Sequence, residues 1–187
     1  MTANAQFSTL LLAALPELRA FALSLTRDGP RADDLVQETI LRAWSHADQF
    51  EAGSNVRAWL FTILRHLFYT EQRRRRREVD DPDGKRAAGL MIRPEQQSHL
   101  EFEDFRHALG RLPPLHREAL ILVGAQGASY EEAARVCGVA VGTIKSRVNR
   151  ARTHLMALLQ IEAGYEFGPD DILKAVIGHD RTDAGND

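Results

Sequence analysis

From Phe7 onward the apolar positions fall in a helical rhythm, with Phe7, Leu10, Leu11, Ala14, Leu18, Phe21, Ala22 and Leu25 recurring at steps of three and four. Pro16 lies inside that run and marks either a kink or a new first turn. The stretch "TRDGP" then breaks the pattern. It resumes over "RADDLVQETILRAW", where Leu35, Val36, Ile40, Ala43 and Trp44 are predicted to face inward and Asp34, Gln37, Glu38 and Arg42 outward. After a loop, "ADQFEAGSN", a long helix is predicted from near Asn55 through Trp59, Leu60, Ile63, Leu64, Leu67 and Phe68 into a run of arginines. No segment alternates as a strand, so the pattern predicts an all-α protein.

Between Glu78 and Gln97 the rhythm disappears. Pro82, Gly84, Gly89 and Pro94 stand among clustered acids there, which predicts an interdomain linker. A second helical domain is predicted from Ser98. In "GASYEEAARVCGV", Ser129 and Glu132 form a capping-box pattern that opens a short helix, and Gly138 supplies the turn that ends it. Beyond it Val141, Ile144, Val148, Ala151 and Leu155 make one buried stripe. The opposite face of that helix carries Ser146, Asn149, Arg150 and Thr153, flanked by Thr143, Lys145, Arg152 and His154, with nothing acidic between them. A solvated helix ordinarily mixes both signs of charge, so this face points to a polyanion. A short helix, a tight turn and a basic helix predict a helix-turn-helix, whose second helix enters the major groove. The expected division is therefore residues 1–77, a linker at 78–97, a second domain at 98–163 and an acidic tail at 164–187. The tail holds one narrow apolar stripe, Ile172, Leu173, Val176 and Ile177, which predicts a short helix.

Charge changes the picture by its distribution. The 187 residues carry a formal net charge of only −2, yet Arg73 through Arg77 are consecutive while the tail is acidic. The single cysteine, Cys137, excludes an internal disulfide and fits a reducing cytosol. Pro16 interrupts the N-terminal apolar run and no basic segment precedes it, so neither a secretory leader nor a membrane span is expected. The seven histidines are scattered, Asp33 and Asp34 lack a third partner at metal-ligand spacing, and no glycine loop matches a phosphate cradle. Neither an enzyme nor a metal or organic cofactor is expected.

Three stretches taken together resemble the extracytoplasmic-function sigma factors of the sigma-70 family. They are "DDLVQETILRAW", "NVRAWLFTILRHLFYTEQRRRRR" and "LPPLHREALILVGAQGASYEEAARVCGVAVGTIKSRVNRARTHL", in this order and spacing. Within that group "RADDLVQET", "FTILRHLFYTE" and "CGVAVGTIKSRVNRAR" are most similar to the general-stress-response branch. The resemblance implies two small helical domains joined by a flexible linker, in a cytoplasmic transcription factor that binds core RNA polymerase and promoter DNA. It also implies control by a small anti-sigma protein. Two readings compete: a sigma-like mimic that sequesters the anti-sigma protein without binding DNA, and a simple helix-turn-helix repressor. The DNA-facing cations argue against the first, the N-terminal domain against the second.

The resemblance also implies residue roles. Asp34, Gln37, Glu38 and Arg42 would meet the clamp helices of the polymerase. The loop around Phe50 to Ser54 and the helix after it would capture the minus-ten element as single strand, through Asn55, Arg57, Arg65, His66, Tyr69, Arg73 and Arg74. That task needs a pocket and stacking partners for a flipped base and cations for the phosphates. Trp59 and Phe61 are expected in the core. Lys145, Ser146, Asn149 and Arg150 would meet the minus-thirty-five element and Arg152 a phosphate. Two positions depart from the family pattern: His66 stands where many relatives carry Asn, and Ala140 where a Ser often caps the recognition helix. A twenty-residue linker spans roughly 25 Å as a coil and at most about 65 to 70 Å extended, so it must stretch to serve two promoter elements.

Overall fold

A computed structural model describes residues 3–50, 53–79 and 97–160. They form two compact units, one around the first three helices and one around the later ones. The first helix, α1, runs from Ala3 to Thr26 as a single element with Pro16 inside it. Pro16 is exposed, so the carbonyl its ring leaves unpaired lies on the wet side of the helix, where water can satisfy it. Arg27 adopts a left-handed φ of 58° and stops the helix. Asp28 then caps α2, Gly29 to Ser45: its Oδ1 accepts the Arg31 amide at 2.8 Å, and Pro30 occupies the first turn, where no amide is needed. "TRDGP" is thus both a stop and a start.

α3 spans Val56 to Val79. The interior of this unit holds Leu18, Phe21, Leu60, Phe61 and Leu64 from α1 and α3, with Ala32, Leu35 and Ala43 from α2. Phe21 and Phe61 pack with ring centroids 5.0 Å apart. The span Phe7 to Thr26 is long and apolar enough to cross a bilayer by length and composition alone. In the fold, Phe7, Leu11, Ala14, Leu18, Phe21, Ala22 and Leu25 are buried among the helices, as in the core helix of a globular unit.

Trp44 was expected inward and is instead 50% exposed. It lies one residue from the end of α2, where its ring pairs with Phe7, 6.3 Å away between centroids. Thr39, by contrast, is fully buried with its hydroxyl donating to the Leu35 carbonyl at 2.7 Å. A back-bonded threonine can enter a core because its one polar group is satisfied within its own helix.

The later helices are α4, Gln97 to Arg111, α5, Pro114 to Leu120, α6, Tyr130 to Cys137, and α7, Val141 to Leu158. A π-helical segment, Ile121 to Ala125, continues α5. Arg117 and Glu118 are buried, and Arg117 Nη1 donates to the Gly110 carbonyl at 3.1 Å across the junction of α4 and α5. No strand occurs among the described residues. Residues 80–96 of the expected linker and the whole acidic tail, with its expected short helix, lie outside the described residues.

Candidate nucleic-acid interface

The helix-turn-helix is fixed by local hydrogen bonds. Ser129 Oγ accepts the Glu132 amide at 3.0 Å while Glu132 Oε2 accepts the Ser129 amide at 2.9 Å, closing the reciprocal capping box. Gly138, at φ 65°, makes the left-handed turn that no β-carbon tolerates well, and the Val139 amide returns to the Ala134 carbonyl at 3.1 Å. On α7, Ile144, Val148, Ala151 and Leu155 are buried as the pattern required. Lys145, Ser146, Asn149 and Arg150 are all exposed, and Arg152 is half-buried. Lys145 Nζ lies over the Tyr130 ring of α6, 5.7 Å from its centroid, which steadies one edge of the basic face.

Ala140 occupies the N-cap of α7 in extended conformation, φ −66° and ψ 148°, and offers no side-chain acceptor. The geometry already suits a cap. Ala140→Ser is therefore expected to stabilise the protein by about 1 kcal/mol. Chemical denaturation of the two proteins checks this, and an unchanged midpoint would refute it.

In the first unit, Asn55 caps α3, its Oδ1 accepting the Ala58 amide at 3.1 Å. Arg57 turns toward α1, pairing with Glu17 at 3.1 Å and covering the Phe61 ring at 5.6 Å. Arg65, His66, Tyr69 and Arg73 share one side of α3 by their spacing, and Arg65 lies 4.8 Å over the Tyr69 ring. Arg73 reaches the Thr70 hydroxyl at 3.2 Å, while Arg74 sits about 100° round the helix from it. Thus the helix gathers four of the seven expected minus-ten residues on one face and directs Arg57 elsewhere. Residues 73 to 77 are all exposed, and Glu71 pairs with Arg75 of the run at 2.6 Å and with Arg31 of α2 at 3.4 Å.

Phe61 is in the core as expected, but Trp59 is only half-buried. It belongs to an aromatic group in which Phe50 packs on both Trp59 and Phe7, with centroids 5.5 and 5.4 Å apart. That group ties the loop after α2 to α1 and to the start of α3. Phe50 lies in the loop and carries no helical period, so the sequence pattern held no sign of its place in the group.

On α2, Asp34, Gln37, Glu38 and Arg42 are exposed, and Arg42 Nε donates to Glu38 Oε1 at 2.9 Å one turn away. Beside them runs a shallow apolar groove of about 310 Å³ between α1 and α2, lined by Leu15, Asp33, Val36, Gln37, Ile40 and Leu41. Arg19 and Asp33 form an ion pair at 2.7 Å, and this bond raises the arginine further above its ordinary value. Leu41 and Leu12 are 56% and 67% exposed. The face expected to be polar is therefore a charged edge on an apolar groove.

Comparison with known proteins settles the family. Residues 10–78 match Sigma-70 region 2, and residues 102–155 match Sigma-70 region 4. The chain is 62% identical over 168 residues to the ECF RNA polymerase sigma factor EcfG of Rhodopseudomonas palustris, covering 90% of this chain and 93% of the relative. The chain belongs to the extracytoplasmic-function sigma factors. The ECF sigma factor SigC of Mycobacterium tuberculosis is 42% identical over 145 residues, 75% of this chain and 72% of the relative. Among solved structures, the sigma factor RpoE from Bartonella quintana, crystallised with the anti-sigma factor NepR, superposes with a TM-score of 0.76. It shares 52% identity over 84% of this chain and 98% of its own. As a sigma factor the protein is a partner of core RNA polymerase in promoter-directed transcription. Most of α1, all of α2 and α3 up to its last residue fall within the region 2 match, and most of α4, α5, α6 and most of α7 within the region 4 match.

Proposed function

We propose that this sigma factor acts in the cytoplasm, carrying core RNA polymerase to stress-response promoters, and that an anti-sigma protein holds it inactive until release. The observation that carries the DNA half of the reading is α7, an exposed cationic face without one acidic residue, set behind a capped helix and a glycine turn. In this reading Lys145, Ser146, Asn149 and Arg150 meet base edges of the upstream element and Arg152 a phosphate. Arg65, His66, Tyr69, Arg73 and Arg74, with Asn55 and Arg57 at the helix start, serve the melted downstream element. Asp34, Gln37, Glu38 and Arg42 form the polar edge of a polymerase contact, and the apolar groove beside them supplies burial that a charged edge alone lacks. The anti-sigma part is supported by the similarity to RpoE, a sigma factor seen in complex with NepR.

Each unit alone presents few phosphate contacts, so specific promoter recognition should require the polymerase. The protein by itself should bind promoter duplex non-specifically, with Kd of about 10⁻⁴ to 10⁻⁶ M at physiological salt. Reconstitution with core polymerase and run-off transcription from matched and scrambled promoters tests the proposal. Promoter-dependent transcripts support it. No transcript in the presence of tight anti-sigma binding would favour the mimic, and tight, sequence-specific duplex binding without polymerase would favour a repressor.

A further inference from the structure

Neither family match extends beyond residue 155, and the segment that follows has a one-sided composition. Between Glu162 and Asp187 stand seven carboxylates, opposed only by Lys174 and Arg181. The helix before it is the reverse: α7 holds Lys145, Arg147, Arg150 and Arg152 and no acid. A polyanion and a cationic face are thus neighbours on one chain. The tether, not the bulk solution, sets the concentration at which they meet.

The cationic face is open to such a partner. Lys145 and Arg150 are exposed, and no carboxylate pairs with either among the described residues; Lys145 lies over the Tyr130 ring instead. The end of α7 is shaped to turn the chain. Gln160 has a left-handed φ of 54° and its amide returns to the Ala157 carbonyl at 3.4 Å, so the backbone leaves the helix axis there instead of prolonging it. The dipole of α7 disfavours carboxylates beside its C-terminal end, whose last turn holds no cation to offset them. Arg150 lies only about 15 Å back along the helix from Gln160. Ten residues separate Gln160 from Asp170, and ten residues of chain span up to about 33 Å. The paired carboxylates of Asp170 and Asp171 are therefore within reach of the face.

We propose that the acidic segment from Glu162 to Asp187 folds back on α7 and covers Lys145 and Arg150, as a polyanion of the chain's own that DNA must displace. The proposal rests on the reading of α7 as the groove helix and adds a regulation to it. The contact is made of exposed ion pairs, so it is weak and screened by salt. It is strong enough to blunt non-specific duplex binding by the free protein, which is electrostatic in the same way. A promoter presented by the polymerase, with many more contacts, displaces it. The native protein should consequently show a flatter salt dependence on duplex than a protein without the acids, because salt releases the competitor as well as the DNA.

The test uses the full chain. Cys137 is buried, so a nitroxide offered to a Thr182→Cys variant attaches to the acidic segment. In isotope-enriched protein without DNA, the label should broaden amide signals from Lys145 to Arg150 more than those of the last turn of α7, and high salt should abolish the difference. Asp170→Asn, Asp171→Asn, Asp180→Asn and Asp183→Asn together should abolish it too. The same four substitutions should tighten duplex binding about fivefold at 50 mM salt, the effect of two exposed ion pairs, with the two proteins converging as salt rises. Stronger broadening of the last turn than of the cationic face, with or without tighter binding, would mean a solvated segment that repels DNA at a distance, and would overturn the contact. Broadening seen only when labelled and enriched chains are mixed would give the face to a second copy and overturn it also. If Arg150→Gln leaves duplex binding unchanged, the reading of α7 fails and the competition fails with it. If Arg150→Gln weakens binding while the four Asn substitutions change nothing, the groove helix stands and the acidic segment is no competitor.

Discussion

Replacing Arg73, Arg74 and Arg76 with Gln should sharply reduce promoter opening while leaving core polymerase binding almost unchanged. These guanidiniums are exposed at the end of α3, one to two turns beyond Tyr69, on the helix proposed to hold the melted strand. Arg75 is left in place because it is bonded to Glu71, which also pairs with Arg31 of α2 and so ties α2 to α3. Each phosphate neutralised on single strand adds roughly 0.7 to the salt slope, so three lost contacts should lower it by about 2. Between 50 and 200 mM salt the native protein should then lose about twentyfold more opening than the variant. A solvated run that merely ends the helix would give little change in either property. Permanganate reactivity of the melted promoter across a salt series, beside a titration of core polymerase, decides the matter. Unaltered opening with the native slope would defeat the assignment, and lost core binding would show that the substitutions had damaged the unit.

Periodicity made the helices legible because each buries one stripe. Of the residues of α7 predicted inward, those at 144, 148, 151 and 155 are buried and Val141 in the first turn is half-buried, while those predicted outward at 145, 146, 149 and 150 are exposed. Local hydrogen-bond chemistry was equally legible where it is encoded within four residues, as in the Ser129 and Glu132 box. What the pattern misplaced depends on neighbours distant in sequence. Trp44 has the apolarity of a core residue, but near the end of α2 it stays half exposed against Phe7, while Thr39 qualifies for the interior through a hydrogen bond no periodicity reveals. The groove between α1 and α2 exists only once the helices are packed, so Asp34 and Glu38 appeared as an isolated polar face.

The geometry of α7 separates two kinds of arginine, and their substitutions should differ in kind. Arg150 is exposed on the face opposite the buried stripe, where a guanidinium can present two donors to a guanine edge. Arg152 is half-buried on the flank shared with Lys145, where a phosphate is the nearer acceptor. Arg150→Ala should therefore remove about 1 to 3 kcal/mol of discrimination at one base pair of the upstream element, a factor of about 5 to 150. Transcription by the holoenzyme from the preferred promoter should fall by that factor, while promoters already mismatched at that base pair should hardly change. Arg152→Ala should weaken all promoters alike and lower the salt slope by about 0.9. Transcription from a set of single-base promoter variants, run with both mutants at two salt concentrations, reads the two signatures independently. Matching profiles for the two mutants would show that neither side chain reads a base. A uniform loss from Arg150→Ala with a position-specific loss from Arg152→Ala would mean that the helix sits in the groove rotated by about 160°, the angle between the two side chains around α7, with its Lys145 flank toward the bases.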